Sequence, residues 1–409
     1  RTRVHGEAEA VAAASTATNA PTTEHQVVMS GRLGLDAARA ARATPARRYH
    51  LLRLREGAVS GQTSEHHRLA ERDRGSADWD LWGPYVSYRS WGTVREDYSA
   101  DGSAWRHFPH DQARSRAYRW NEDGLGGISD VRQYLCFGLA LWNGRDPILK
   151  ERLFGLTGVE GNHGEDVKEA YAHLDATPSH GYLEFLYRYP IAEYPYRELV
   201  ETNSQRSTVE PEYELEDTNA FAEGHFDVRV SYAKAAVDDI AIEIEVTNRS
   251  DSTATCHVVP TLWFRNTWSW GYPAGPMGDV PERPSMVAGD GSTIIADHPV
   301  LGRYHLYVDT PDQLIFTNNE TNQEALWGTP NDTPYVKDAF HRYLVDGEES
   351  AVNPGQTGTK AASVHEVTLD PQESRSVRLR LSAVAHPQPF SDYEQVVAAG
   401  RQDADDFYS

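Results

Sequence analysis

Only two cysteines, Cys136 and Cys256, occur in 409 residues, too few for a disulfide framework or a cysteine-based metal cluster. They are expected to be buried thiols in a reducing compartment, which implies a cytoplasmic location. Basic residues are also scarce. The chain holds 39 Lys and Arg against 61 Asp and Glu, a formal charge of -22. That balance argues against a nucleic-acid surface and an anionic membrane. No run of 18 apolar residues is present, so no membrane-spanning helix is expected. A glycine-rich phosphate loop, a Gly-x-Ser-x-Gly elbow and a CxxC pair are all missing, which removes several common enzyme classes. Neither a metal nor another cofactor is expected. The chain begins at Arg1 without an initiator Met, as a fragment, a processed product or an incompletely recorded N-terminus would.

Aromatic residues are plentiful, with ten Trp and 21 Tyr; such amphipathic rings suit sugar-like ligands as well as cores. Residues 1–48 are rich in Ala, Thr and Arg without apolar periodicity, and are expected to be a disordered or loosely packed arm. The polar run EHHRLAERDR from Glu65 fits a helical turn. Its adjacent His66 and His67 point apart on a helix and read as a surface pair, not as metal ligands. Ser129 reads as an N-cap for a helix over VRQYLCFGLALW, stopped at Asn143-Gly144. Asp146-Pro147 then opens a second short helix, ILKERLF, and EDVKEAYAHLD from Glu165 a third. These three are expected to be helical insertions at about 128–175.

From about Tyr182 the chain reads as β. Phe226, Val228, Val230 and Tyr232 alternate with polar residues, as do Ile240, Ile242, Ile244 and Val246. Asp238-Asp239 between them predicts adjacent antiparallel strands. Segments starting near Cys256, Arg303, Gln313, Ser363 and Ser376 continue the series. Strands without regular intervening helices imply two packed antiparallel sheets. The fold class is therefore mainly β: a large antiparallel β-super-sandwich over 49–388, with short helices, long loops and a terminal helix at 389–409.

Three segments offer chemistry. The stretch 87–120, rich in Trp, Tyr, Arg and Asp, has neither helical nor strand period. It supplies Arg95, Glu96, Asp97, Tyr98, His110, Asp111, Arg114, Arg116 and Trp120 as binding candidates. A glycosidase needs two carboxyls, held about 6.5–9.5 Å apart when it inverts; Asp97, Asp111, Glu122 and Asp123 are the available ones, with Asp97 and Asp111 as the catalytic alternatives. Arg95, Arg114 and Arg116 equally read as pairing with nearby acids to hold the loop rigid. The second segment, 261–276, carries Arg265, Asn266, Trp268 and Trp270, which fit either a sugar grip or the closed end of a sandwich. The third, from Val159, places His163 before Glu165 and Asp166 but matches no metal motif.

The stretches WGPYVSYRSWGTVREDYS, FPHDQARSRAYRWNEDGLGG, LALWNGRDPILKERLFGLTGVEGNHGEDVKE, VVPTLWFRNTWSWG and NPGQTGTKAA resemble the N-terminal half of bacterial members of glycoside hydrolase family 63, over roughly residues 65–409. The resemblance implies a β-super-sandwich followed by an (α/α)6 barrel, which carries the acids that hydrolyse α-glucosidic bonds with inversion. The terminal helix would lead toward that barrel, absent from this chain, so no family catalytic residue maps onto these positions. The expected role is a non-catalytic scaffold contributing subsites, its partners a barrel domain or subunit and an α-glucoside or other carbohydrate. The alternatives are a self-contained hydrolase using carboxylates in 95–123, and a free-standing carbohydrate-binding sandwich.

Overall fold

The computed structural model describes residues 62–84, 109–117, 123–155, 161, 167–271 and 280–409. The Ala-rich arm lies outside them, as do Arg95, Glu96, Asp97, Tyr98, Trp120, Glu122, His163, Glu165 and Asp166.

Fifteen described strands form two antiparallel sheets. Six of them, β1 (Trp82–Pro84), β2 (Leu125–Asp130), β3 (Leu135–Trp142), β8 (Ala254–Phe264), β14 (Lys360–Leu369) and β12 (Gln313–Thr317), are neighbours in that order in the smaller sheet. One half of the larger sheet runs β13 (Thr357–Gly358), β9 (Ser285–Ala288), β10 (Thr293–His298), β11 (Gly302–Val308) and β15 (Ser374–Ser382). It continues through β7 (Asp239–Asn248), β6 (His225–Ala236), β5 (Tyr182–Pro190) and β4 (Tyr171–Ala176). The predicted alternation is realised. Val228, Val230, Ile242 and Ile244 project from β6 and β7 into one core, facing Phe137, Leu139, Val258 and Leu262 of the smaller sheet. Burial of each such side chain contributes about 1.5–3 kcal/mol. Phe137 meets the Tyr232 ring edge-on across the gap, with centroids 6.2 Å apart.

The helices expected at 128–175 are not formed. Ser129 lies in β2, and the apolar run after it is β3, hydrogen-bonded to β2 on one side and β8 on the other. Leu135, Phe137, Leu139 and Leu141 point into the core, while Cys136 and Ala140 are buried on the opposite face. A strand covered on both faces loses its period-two signature and reads like a buried helix. Beyond the turn at Gly144, where φ is 75°, the segment ILKERLF is not helical either. Lys150 forms a bridge with Leu141, which lays the segment alongside β3. Of the third expected helix, residues 171–175 lie in β4 (Tyr171–Ala176), the edge strand of the larger sheet.

Six α-helices are described. The predicted turn near Glu65 is α1 (Ser64–Asp73), capped by Thr63, and both His66 and His67 are exposed on it. Helices α2 (His110–Ala113), α3 (Tyr196–Ser204), α4 (Gln323–Trp327) and α5 (Ala339–Leu344) decorate the sandwich. The terminal helix α6 (Tyr393–Tyr408) lies on the outer face of the larger sheet. Its Tyr393, Val397, Gly400 and Ala404, spaced for one helical face, meet Tyr182, Ala233 and Ala241. Both cysteines are buried thiols that form no disulfide.

Candidate functional site

The described part of the aromatic stretch, 109–117, is fastened at Ser115, Arg116 and Ala117 to the segment 321–338 by hydrogen bonds. The Ser115 hydroxyl donates to Asp338 at 2.6 Å, and the Lys337 ammonium donates to the Arg116 carbonyl at 2.8 Å. The Ala117 N–H donates to the Thr321 hydroxyl at 3.1 Å, and the Asn322 N–H to the Ser115 carbonyl at 2.8 Å. His110 is buried between the rings of Phe154 and Tyr196. Burial, and then the charges of Arg152, Lys150 and Arg114, hold its pKa well below the usual histidine value. It is therefore neutral near pH 7. Asp111 is exposed and Arg114 half-buried.

The second candidate segment reaches the same place. The Trp268 indole donates to Glu320 at 2.8 Å, and Asn266 donates to the Asn319 carbonyl at 2.8 Å. Residues 318–322 thus join 109–117 to 265–270. Arg265 is buried over Tyr134 and donates to the Gln133 and Arg132 carbonyls, closing the β2–β3 turn. The Trp270 indole donates back to the Asn266 carbonyl at 2.8 Å. Both Trp rings are half-buried, with their N–H groups engaged by the protein. The Asn- and Thr-rich run Thr317–Asn322 was not singled out by the sequence reading. Its signal is a cluster of short polar side chains directly after a strand.

Beneath these loops lies a buried ion-pair network. Arg152 spans Asp123 at 2.7 Å and Glu151 at 2.9 Å; Lys337 lies 3.1 Å from Asp123, and Lys360 lies 2.8 Å from Glu151. Burial alone would raise the Asp123 pKa, but Lys337, Arg152 and Lys360 outweigh it and hold the carboxyl at about 2. Glu151 is likewise held below its ordinary value against burial, by Lys360 and Arg152. These two acids stay ionised at neutral pH. A general acid must instead keep its proton until transfer. They serve as the charged floor of the loop cluster.

One residue along, the chain turns the next charge the other way. Lys150 pairs with Glu169 at 2.8 Å with both side chains fully buried, and its ammonium sits 3.6 Å from the Tyr194 ring centre. Glu169 also accepts from the Tyr187 hydroxyl at 2.6 Å and the Phe154 N–H at 2.8 Å. Nearby, buried Asp146 accepts from Tyr189 at 2.9 Å and from the Ile148 N–H at 3.0 Å. Burial pushes its pKa up to about 6, against the pull of Lys150. None of these residues was among the sequence candidates. The signals were the charges alternating inside ILKERLF and the tyrosines at alternate positions of β5.

The raised Asp146 pKa has a measurable sign. A carboxyl that binds its proton more tightly when folded stabilises the native state at low pH and loses that contribution as pH rises through about 6. Relative to Asp146→Asn, which stays neutral, the wild type is expected to gain on the order of 2 kcal/mol between pH 7.5 and pH 4. Urea unfolding of both proteins across that range measures the difference. A gap independent of pH would contradict it.

No protein-family model matches the chain. It is 39% identical over 351 residues to the uncharacterized protein YMR196W of Saccharomyces cerevisiae, an alignment covering 78% of this chain and 32% of the yeast protein. The chain therefore spans about a third of the length of that relative. Among solved structures it matches a polysaccharide lyase at 11% identity and a TM-score of 0.28, over 64% of this chain and 27% of the lyase. A putative aldose 1-epimerase from Escherichia coli K12 matches at 12% identity and a TM-score of 0.23, over 51% and 67% of the two chains. A putative kojibiose phosphorylase from human microbiome matches at 7% and 0.28, over 74% and 36%.

Proposed function

We propose that this chain is the non-catalytic super-sandwich portion of an α-glucosidase-like hydrolase resembling glycoside hydrolase family 63. In this reading a helical barrel, in the same longer chain or in a separate subunit, supplies the acid and base that cleave the glycosidic bond with inversion. The sandwich holds the barrel, and its loop cluster around 109–117 and 265–270 faces the barrel or the sugar it carries.

The observation that carries the reading is the state of the buried carboxyls described in that cluster. Asp123 and Glu151 are neutralised by Arg152, Lys337 and Lys360. Asp338 is held by Ser115 and Asn322, with Arg342 3.6 Å away. Hydrolysis of a glycoside needs a protonated acid facing a second carboxylate across the bond, and this arrangement offers rigidity in its place. Two further points support the reading. The sequence stretches that resemble the family are spread over residues 82–362, and the yeast relative is about three times as long as the aligned segment.

The test is reconstitution. The barrel segment of a longer homologous protein is expressed separately and mixed with this chain, and the complex is sought by size-exclusion chromatography. Co-elution with a rise in α-glucoside hydrolysis over the barrel alone is the expected result. A barrel that is fully active alone and ignores this chain would overturn the assignment.

A further inference from the structure

Most of the described tryptophans are absorbed by the fold. Trp79, Trp82, Trp142, Trp268 and Trp270 each donate their indole N–H to a protein oxygen, and Trp263 is buried. Trp327 does neither. It is 59% exposed, and among the described residues nothing accepts its indole N–H. Large amphipathic rings with an N–H to satisfy are usually covered at one end and bonded at the other.

The exposed ring stands on a firm support. Trp327 closes α4, a helix of five residues that could not hold itself in isolation. Carboxamides hold its first turn: Asn322 accepts from the Ala325 N–H at 3.1 Å, and Asn331 from the Gln323 N–H at 2.7 Å. Asn331 also donates to Asn322 at 2.8 Å, and Asn322 donates to buried Asp338 at 2.9 Å. Asp338 in turn accepts from the Ser115 hydroxyl, which ties α4 to the candidate segment 109–117. Gly328 ends the helix with a left-handed φ of 68° and donates its N–H to the Glu324 carbonyl at 3.0 Å. The Arg116 guanidinium lies over the indole, 5.9 Å from its centre.

We propose that Trp327 is a stacking platform for a neutral pyranose ring, laid on the exposed part of the indole. A pyranose presents C–H groups on its face, which cover an aromatic ring, and hydroxyls around its edge. The indole N–H is left to donate to one of those hydroxyls. Charge disfavours the other ligand classes. Arg116 over the ring repels an organic cation, and a chain with a formal charge of -22 repels a nucleotide. The exposed Gln323, Glu324, Thr329 and Asp332 around Trp327 in the chain are polar, whereas the centre of a protein interface gathers several apolar side chains. The inference rests on the hydrolase reading for the class of ligand, and it names the residue of this chain that touches the sugar.

Maltotriose is the probe, titrated into the whole chain and followed by the NMR signals of the indole N–H groups. Trp327→Phe removes one of those signals and so assigns it. Saturable binding with a Kd of about 1–10 mM is expected, with the Trp327 signal moving most. Trp327→Ala should weaken binding at least about tenfold at an unchanged unfolding midpoint, since the side chain is exposed. Trp327→Phe keeps a ring and should bind between the two. Three results would each overturn the proposal: no saturation by about 50 mM, a Trp327 signal that stays still, or wild-type binding by Trp327→Ala. Reconstitution with the barrel reads the hydrolase assignment separately. A chain that binds no maltotriose but activates the barrel sinks this inference alone, and one that binds it through Trp327 yet ignores the barrel sinks only the assignment.

Discussion

Lys150→Met is expected to cost about 3–5 kcal/mol of stability, seen as a fall in the urea midpoint at unchanged slope. Lys150 and Glu169 are both fully buried, 2.8 Å apart, and no water reaches the carboxylate to replace the lost ammonium. Met fills much the same volume, so the loss comes mainly from stranding the Glu169 charge. The Tyr194 ring, with the ammonium 3.6 Å from its centre, also loses a cation–π partner. The double variant Lys150→Met/Glu169→Leu removes both charges together. It should recover most of the loss, because replacing a buried pair with apolar side chains is often close to neutral. A single variant as stable as wild type would mean that the pair is hydrated and the segment 149–154 is not packed against β3.

Trp263→Ala carries the second large effect, about 3–5 kcal/mol, by emptying the outer face of the smaller sheet. Trp263 is 2% exposed and covers Cys136 and two glycines. A Cβ on Gly138 would lie 2.8 Å from the Gly124 Cα and 3.1 Å from the Trp263 ring. The close stacking of strand on loop therefore requires glycine at both places. The same contact gives a test of sign. Were 135–142 a helix, Gly138→Ala would stabilise it by about 1 kcal/mol. In the strand it should destabilise by about 1–3 kcal/mol, since backbone must move to admit the methyl group. Thermal unfolding of the two variants separates these outcomes.

That segment also shows where the sequence is readable. From Tyr182 onward some strands have one face in the core and one nearer solvent, as β6 does with Val228 and Val230 buried and Arg229 exposed, while β8, buried on both faces, is read from its β-branched and aromatic residues. These signals were therefore visible, and β6, β7, β8, β11, β12, β14 and β15 fall where they place them. The terminal helix was legible for a similar reason, since Tyr393, Val397 and Ala404 mark one face of a helix whose other sides are exposed. β3 has no wet face, because the loops and ion pairs on its outer side bury it, and its period vanished. The charges of 150–152 then completed a pattern resembling an amphipathic helix.

The candidate site was legible in part. Aromatic and charged density pointed to 109–117 and 265–270, and the structure joins both through 318–322. What the sequence withheld was pairing. Asp123 and Arg152 are 29 positions apart, and Glu151 and Lys360 are 209 apart. Only the folded sheet decides that these acids meet cations. Arg95, Asp97, Tyr98 and Trp120 lie outside the described residues.

The most direct test of the central claim is the rate at which this chain alone hydrolyses α-glucosides. A non-catalytic sandwich predicts no turnover above the rate in buffer, with or without its full loop cluster. Turnover by the isolated chain that disappears in Asp97→Asn or Asp111→Asn would contradict it and make the chain a hydrolase in its own right.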